Sequence, residues 1–408
     1  MKTHLKSLIA IPVFMLCSIV NAQWSTLSFP SSKALDKASF PDDNTGYVAS
    51  STYPVLWRTN DGGTSWDSTT FTAYVNDVDF ISADTGFVLI GQGATSYSVK
   101  STYDGGDTWT DHPIPGTGIS YQTVYFTSKL VGYIIDYGAN ILRTADGGAT
   151  WTPAFLGSYA YALDKEHITQ DTIVFAGADG TFWYKGAIYR SYDAGTSWQT
   201  ILHDSTYSTF IGSSFLTGMH GYTVHASTWS TNESVLSKTL DGGNSWTEFY
   251  TDVNLEFQDV FMRTAIEGYV SGTTITSTGA ILKTVDGVAW TSDYAIPYPI
   301  RKFYNNGTML YGIGDGGLII KKNITVGIEE NELDLNGKIY PNPTNGVLNF
   351  NFNEAVDLNL FDASGNNVVS QKVYPQNSID LNLLPNGIYL ARIVAGNRVG
   401  SVKVILSR

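Results

Sequence analysis

An eight-residue box, Thr59-Asn-Asp61-Gly-Gly63-Thr-Ser65-Trp66, recurs at residues 102–109, 144–151, 191–198 and 239–246, and in a worn, shorter form at Thr284-Val-Asp286-Gly-Val-Ala-Trp290. Its aspartates, Asp61, Asp104, Asp146, Asp193, Asp241 and Asp286, follow one another at 43, 42, 47, 48 and 45 residues. A period of that length suits one blade of a β-propeller, a unit that buries its faces only against its neighbours. Inside each box the Asp carboxylate is placed to accept N–H bonds from its own turn, and glycine supplies the positive φ. The tryptophans Trp66, Trp109, Trp151, Trp198, Trp246 and Trp290 are placed to pack between neighbouring sheets.

Before each box stands an apolar and aromatic strand pair, and a Gly-Tyr or Gly-Phe step (Gly46-Tyr47, Gly86-Phe87, Gly132-Tyr133, Gly221-Tyr222, Gly268-Tyr269) marks the second strand of the unit. With 40 Gly, 25 Tyr, 19 Phe and 10 Trp, and charged residues at only 15%, helical bundles and coiled coils are excluded and the fold is all-β. Residues 303–322 form a seventh unit that lacks a Trp strand after it, whereas Trp24 to Phe29 form such a strand with no box before it. The N-terminal strand is therefore expected to complete the last unit. Residues 23–322 then make a closed seven-bladed β-propeller without exposed edges.

The boxes resemble the Asp-box (BNR) repeats of sialidases, sortilin-type receptors and xyloglucan-cleaving endoglucanases, and their rhythm and single-propeller length look most like the photosystem II assembly/stability factor family. That resemblance implies the propeller fold. For function it implies an assembly or scaffold role among several, because unrelated activities share the box.

After an acidic linker at 323–337, residues 338–408 alternate with period two between turns such as Tyr340-Pro-Asn-Pro343 and Pro385-Asn-Gly387, which reads as a small immunoglobulin-like β-sandwich. Those motifs, with Leu360-Phe-Asp362 and the closing Val402 to Ile405, resemble the type A C-terminal sorting domain of the type IX secretion system. The resemblance implies a Bacteroidota source, the type IX machinery as partner of residues 338–408, and a secreted or outer-membrane surface location. At the other end, Lys2, Lys6, an apolar run from Leu8 to Val20 and Val20-Asn-Ala22 read as a signal peptide cleaved after Ala22. Its removal takes away Cys17, the only cysteine. No later stretch is apolar for the roughly 18–20 residues of a membrane helix.

A formal charge of −13 argues against nucleic acid, which is gripped by basic patches. A sialidase needs an arginine cluster for its substrate carboxylate, and here Arg58, Arg143 and Arg190 recur just before the box, a place that reads as strand-end solvation, the alternative being a cationic ring for an anionic partner. Arg301 lies at the wrong end of the propeller. Asp42, Asp43, Asp77, Asp79, Asp136 and Asp259 are the acids available for paired-carboxylate chemistry, and their contexts read as solvated turns. His112, His167, His203, His220 and His225 show no metal-ligand spacing, so neither metal nor cofactor is expected.

The candidate ligand site is aromatic. The turns between second and third strands open on the face opposite the boxes, and the repeat places Tyr53, Tyr97, Tyr137, Trp183, Tyr184 and Trp229 there. Such rings stack on sugars or grip peptides, unless they pack between blades, the competing reading for Tyr53, Tyr97 and Tyr137. Trp183 and Trp229 fall where the repeat lengthens to 47 and 48 residues. The reading is an exported propeller that binds a glycan or protein, the alternatives being a secreted glycoside hydrolase or an assembly factor.

Overall fold

The computed structural model describes residues 23–92, 96–114, 120–136, 140–155, 160–168, 172–179, 185–202, 210–226, 234–324, 331–332, 335, 338–353, 355–362, 367–375, 377–395 and 398–408. The signal-peptide expectation at 1–22 lies outside them. The chain divides into two compact units, Met1–Ile324 and Thr325–Arg408.

In the first unit the described strands form seven four-stranded antiparallel sheets. Each of the first six uses four consecutive strands, as in Lys37–Ser39, Gly46–Ala49, Val55–Thr59 and Asp67–Thr70 of the first. The seventh draws on both ends of the unit. Ile300–Asn305, Met309–Gly314 and Ile319–Asn323 are joined by Ser25–Thr26, with Ser25 opposite Lys321 and Thr26 opposite Ile320. The first strand of each sheet lies against the first strand of the next, and that of the seventh against that of the first, so the sheets form a closed cycle.

Apolar clusters fill the junctions between consecutive sheets, each holding a box tryptophan or its N-terminal counterpart Trp24, with Trp57 added to Trp66 between the seventh sheet and the first. Trp109 packs with Tyr47 and Leu56 of the first sheet and Val78 of the second, and Trp24 takes the equivalent place beside Tyr269 and Phe303 at the junction of the sixth and seventh. The Gly-Tyr step has a packing cause. A Cβ on Gly46 would come 2.6 Å from the Phe40 ring, and one on Gly132 would come 2.5 Å from Phe126, so the glycine makes room for a phenylalanine of its own sheet. The ring after the glycine then stacks on the equivalent phenylalanine of the next sheet, Tyr47 on Phe80 and Phe87 on Phe126 with centroids 3.4 Å apart, and Tyr311, which follows Leu310, stacks in the same way on Phe40 at 3.7 Å.

First strands have a partner on one side only, which leaves N–H groups to be satisfied from elsewhere. Side chains of the preceding sheet supply the acceptors. Ser39 Oγ accepts from Phe80 N–H at 3.0 Å, Asp77 from Val124 at 2.9 Å, Asp79 from Phe126 at 2.7 Å, Ser214 from Met262 at 3.0 Å and Asp259 from Phe303 at 2.7 Å. This corrects the reading of these acids as solvated. Asp77, Asp79 and Asp259 are only 5%, 9% and 2% exposed, because a carboxylate that accepts backbone N–H groups offsets much of its burial cost. Asp136 is also buried and holds the backbone and side-chain N–H groups of Asn140, both at 2.9 Å. Asp42 does stay in a turn, accepting from Asn44 and Thr45.

Strand-end solvation of the arginines is corrected as well. Arg58 donates to the Gly105 carbonyl in the box of the next sheet at 2.7 Å, Arg190 to Gly242 at 2.9 Å, and Lys321 likewise to Gly62 at 2.8 Å. Among the described residues the buried Nε of Arg143 finds no hydrogen-bond partner. Arg58, Arg190 and Lys321 stitch sheets together instead of forming a ring for an anion.

The second unit has a five-stranded sheet, Asn331–Glu332, Arg398–Leu406, Gly387–Ala395, Val356–Phe361 and Asn367–Val373 in spatial order, and a three-stranded one of Ile339–Tyr340, Val347–Phe350 and Ser378–Asp380. Leu348, Phe350, Leu358, Ile379, Ile393 and Val404 share its core. Asn331–Glu332, inside the expected linker, pairs in parallel with Arg398–Val399.

Candidate functional site

The boxes are closed hydrogen-bonded turns. Asp61 Oδ1 accepts from Ser65 N–H and the Thr59 hydroxyl, both at 2.9 Å, and Oδ2 accepts from the Ser65 hydroxyl at 2.6 Å, while Thr59 Oγ1 accepts from Gly63 N–H at 2.8 Å. The same set recurs around Asp104, Asp146, Asp193 and Asp241. Hydrogen bonds from the Ser or Thr side chain and then from its backbone hold all five carboxyls down at about 2. At Asp286 the carboxylate is left with the backbone of Val288 and Ala289 and the Thr284 hydroxyl. In the fourth box Ala194 stands where the others have glycine and still takes φ 53°, a strained conformation for a residue with a Cβ. The donors all belong to the turn itself.

Of the predicted aromatic site, Tyr137, Trp183, Tyr184 and Trp229 lie outside the described residues. Tyr53 is exposed with the Lys33 ammonium 4.5 Å over its ring. Tyr97 lies across Gly91 with its ring 5.5 Å from Tyr121 of the third sheet, so it packs between sheets. The histidines are engaged separately: His112 with Ser101 and His225 with Ser237 at 2.9 Å, His220 with Tyr222 at 3.0 Å. Among the described residues no group of His, Cys, Asp or Glu is placed to hold a metal, and no helix is long and apolar enough to cross a membrane.

A cavity of about 410 Å³ opens instead at the ends of the first strands of the fifth, sixth and seventh sheets, beside their turns at Leu216, Arg263 and Gly307. Its wall combines Ser213 and Phe215, Asp259 and Phe261, and Lys302, Tyr304 and Asn305. Lys302 Nζ stands 3.4 Å from Asp259 Oδ1, and Arg263 Nη1 stands 2.9 Å from Glu267 Oε2. The result is an amphipathic hollow with two cations at its wall, each held by a carboxylate, and aromatic surface between them. Sequence reading missed it because its residues come from three repeats, at positions without a shared motif.

Residues 338–407 match the Secretion system C-terminal sorting domain, and residues 68–214 match the Photosynthesis system II assembly factor YCF48. The Photosystem II assembly lipoprotein Ycf48 of Synechococcus sp. (strain CC9902) is 29% identical over 151 residues, which are 36% of this chain and 42% of that protein. The chain thus spans less than half the length of that curated relative. Among solved structures, YCF48 bound to D1 peptide aligns with a TM-score of 0.58 at 18% identity over 74% of this chain and 96% of that one, and YCF48 from Cyanidioschyzon merolae with 0.57 at 14% identity over 75% and 100%. At such identities the likeness concerns the fold: the first unit is a Ycf48-like β-propeller. The sorting domain marks the chain for type IX secretion to the cell surface or extracellular space.

Proposed function

We propose that the protein is an exported binding propeller that holds a segment of a partner polypeptide in the cavity beside Lys302 and Asp259. In this reading the seven sheets are the blades of one ring, residues 1–22 are removed after Ala22, and residues 338–408 are the address read by the secretion machinery. The cavity carries the proposal. Its 410 Å³ lies within the roughly 300–1,000 Å³ of ligand sites built from apolar wall and a few placed polar groups. The Ycf48-like fold supports a binding or scaffold role, and one solved structure of that kind is described as bound to a peptide. Glycoside hydrolysis is the weaker reading, since it uses two carboxylates and among the described residues the cavity wall holds one, Asp259, engaged by Phe303 and Lys302.

The test is a peptide array probed with the mature chain, followed by titration of the best sequences against Lys302→Ala and Arg263→Ala. Binding should weaken at least tenfold in both with the melting temperature little changed. Peptides that bind both variants as well as the parent would overturn the assignment. Loss of binding on Trp183→Ala or Trp229→Ala alone would move the site to the opposite face.

A further inference from the structure

A second hollow, of about 320 Å³, lies at the junction of the first and second sheets, far in the chain from the cavity above. Leu56 and Tyr47 lie buried beneath it, and the partly exposed indole of Trp109 supplies its apolar surface. The polar atoms of those rings are already spent: the Tyr47 hydroxyl on the carbonyls of Ala83 and Gly105, the Trp109 N–H on Gly106. Arg58 stands at the rim, its Nη1 2.8 Å from Asp107 Oδ1, with Asp67 opposite it on the neighbouring strand. No intramolecular hydrogen bond engages the side chains of Asp67, Ser68 or Thr69 among the described residues, and all three line the hollow.

We infer that this hollow is a saccharide subsite. The charges decide the class of ligand. Asp67 and Asp107 outnumber Arg58 and disfavour an anion, while Arg58, paired with Asp107, weakens the pull on a cation. A neutral ring with adjacent hydroxyls uses both, donating to the carboxylates and accepting from the guanidinium, while its C–H face lies on the partly exposed Trp109 indole, where the negative face of the ring attracts it. The volume is at the small end for ligand sites, which suits one sugar unit of a longer chain.

The carboxylate pair is confined to this junction. At the third and fourth sheets the corresponding residues are Thr152 and Thr196, and at the fourth and fifth they are Gln199 and Asn244. In the latter Arg190 is buried and bonded to Gln199 at 3.2 Å. A merely structural use of the arginine does not call for the two acids, since Arg190 reaches its carbonyl without them.

Saturation-transfer NMR of the mature chain with the methyl glycosides of glucose, galactose, mannose and N-acetylglucosamine tests this directly. At least one should receive saturation with millimolar affinity, and Asp67→Asn and Asp107→Ala should each weaken it about tenfold at an unchanged melting temperature. Lys302→Ala should leave the signal intact, which separates this site from the polypeptide site. The inference is overturned if no glycoside receives saturation, if the signal survives both variants, or if N-acetyl-lysine methylamide binds instead with the same dependence on the two acids.

Discussion

Trp24 Nε1 donates to Asp293 Oδ2 at 2.7 Å across 269 residues of sequence, and Lys322 Nζ reaches the same oxygen at 3.1 Å. The ammonium also lies 4.9 Å over the Tyr269 ring and 5.6 Å over Trp24. One N-terminal side chain, one from the last strand of the unit and one from the sixth sheet thus meet at the seam of the cycle. Trp24 is 6% exposed, and replacing a buried Trp by Ala costs about 3–5 kcal/mol. Trp24→Ala should therefore lower the unfolding free energy by that amount in a urea titration, with Asp293→Asn losing about 1–2 kcal/mol. Unchanged midpoints for both would mean that the seam contributes nothing to holding the cycle.

The acids that join first strands should behave unlike surface acids. Asp79→Ala leaves the Phe126 N–H without that acceptor, a loss of about 1–3 kcal/mol, and Asp259→Ala does the same for Phe303. Asp42→Ala, in a surface turn, should cost less than either. Equal effects of all three on urea midpoints would contradict the stitching described above.

Acid should act on the boxes. Their carboxyls sit at about 2 in the folded chain, below the ordinary 3.8. A depressed folded value gives stability that is fully present above the unfolded value and is lost as pH falls through the folded one. The melting temperature should hold from neutral pH to about 5, then fall between about pH 4 and 2. Asp146→Asn should start lower and fall less steeply over that window. A variant curve running parallel to the parent's would show that this carboxylate does not carry its share of the dependence.

Deleting residues 338–408 should leave a folded first unit, since the two units have separate cores, and should stop its passage to the cell exterior. Fractionation that finds the truncated protein outside the cell in normal amounts would refute the sorting role.

The repeat was legible because box chemistry is local: each Asp is satisfied within four residues of itself, and its Thr, Gly and Trp leave a fixed spelling. The strand left over at each end pointed to the pairing of Ser25 with Lys321. What the spelling hides is which acids are buried. Asp79 and Asp42 look alike in sequence, yet the first finds its N–H 47 residues away in another sheet, and the second within three. Nor does Gly46 announce that it exists for the Phe40 ring. The cavity at Lys302 escaped for the same reason, since three sheets each bring a part and none brings a pattern.

The seventh sheet also sets an order of events during synthesis. Six sheets can be completed from contiguous chain as it emerges, but Ser25 must wait 296 residues for Lys321. Until then the strand carrying Trp24 has nothing to pair with, and the growing assembly keeps an open side along which strands can add or be pulled away. Sealing is therefore the last act, and it requires both ends of the first unit in the same compartment.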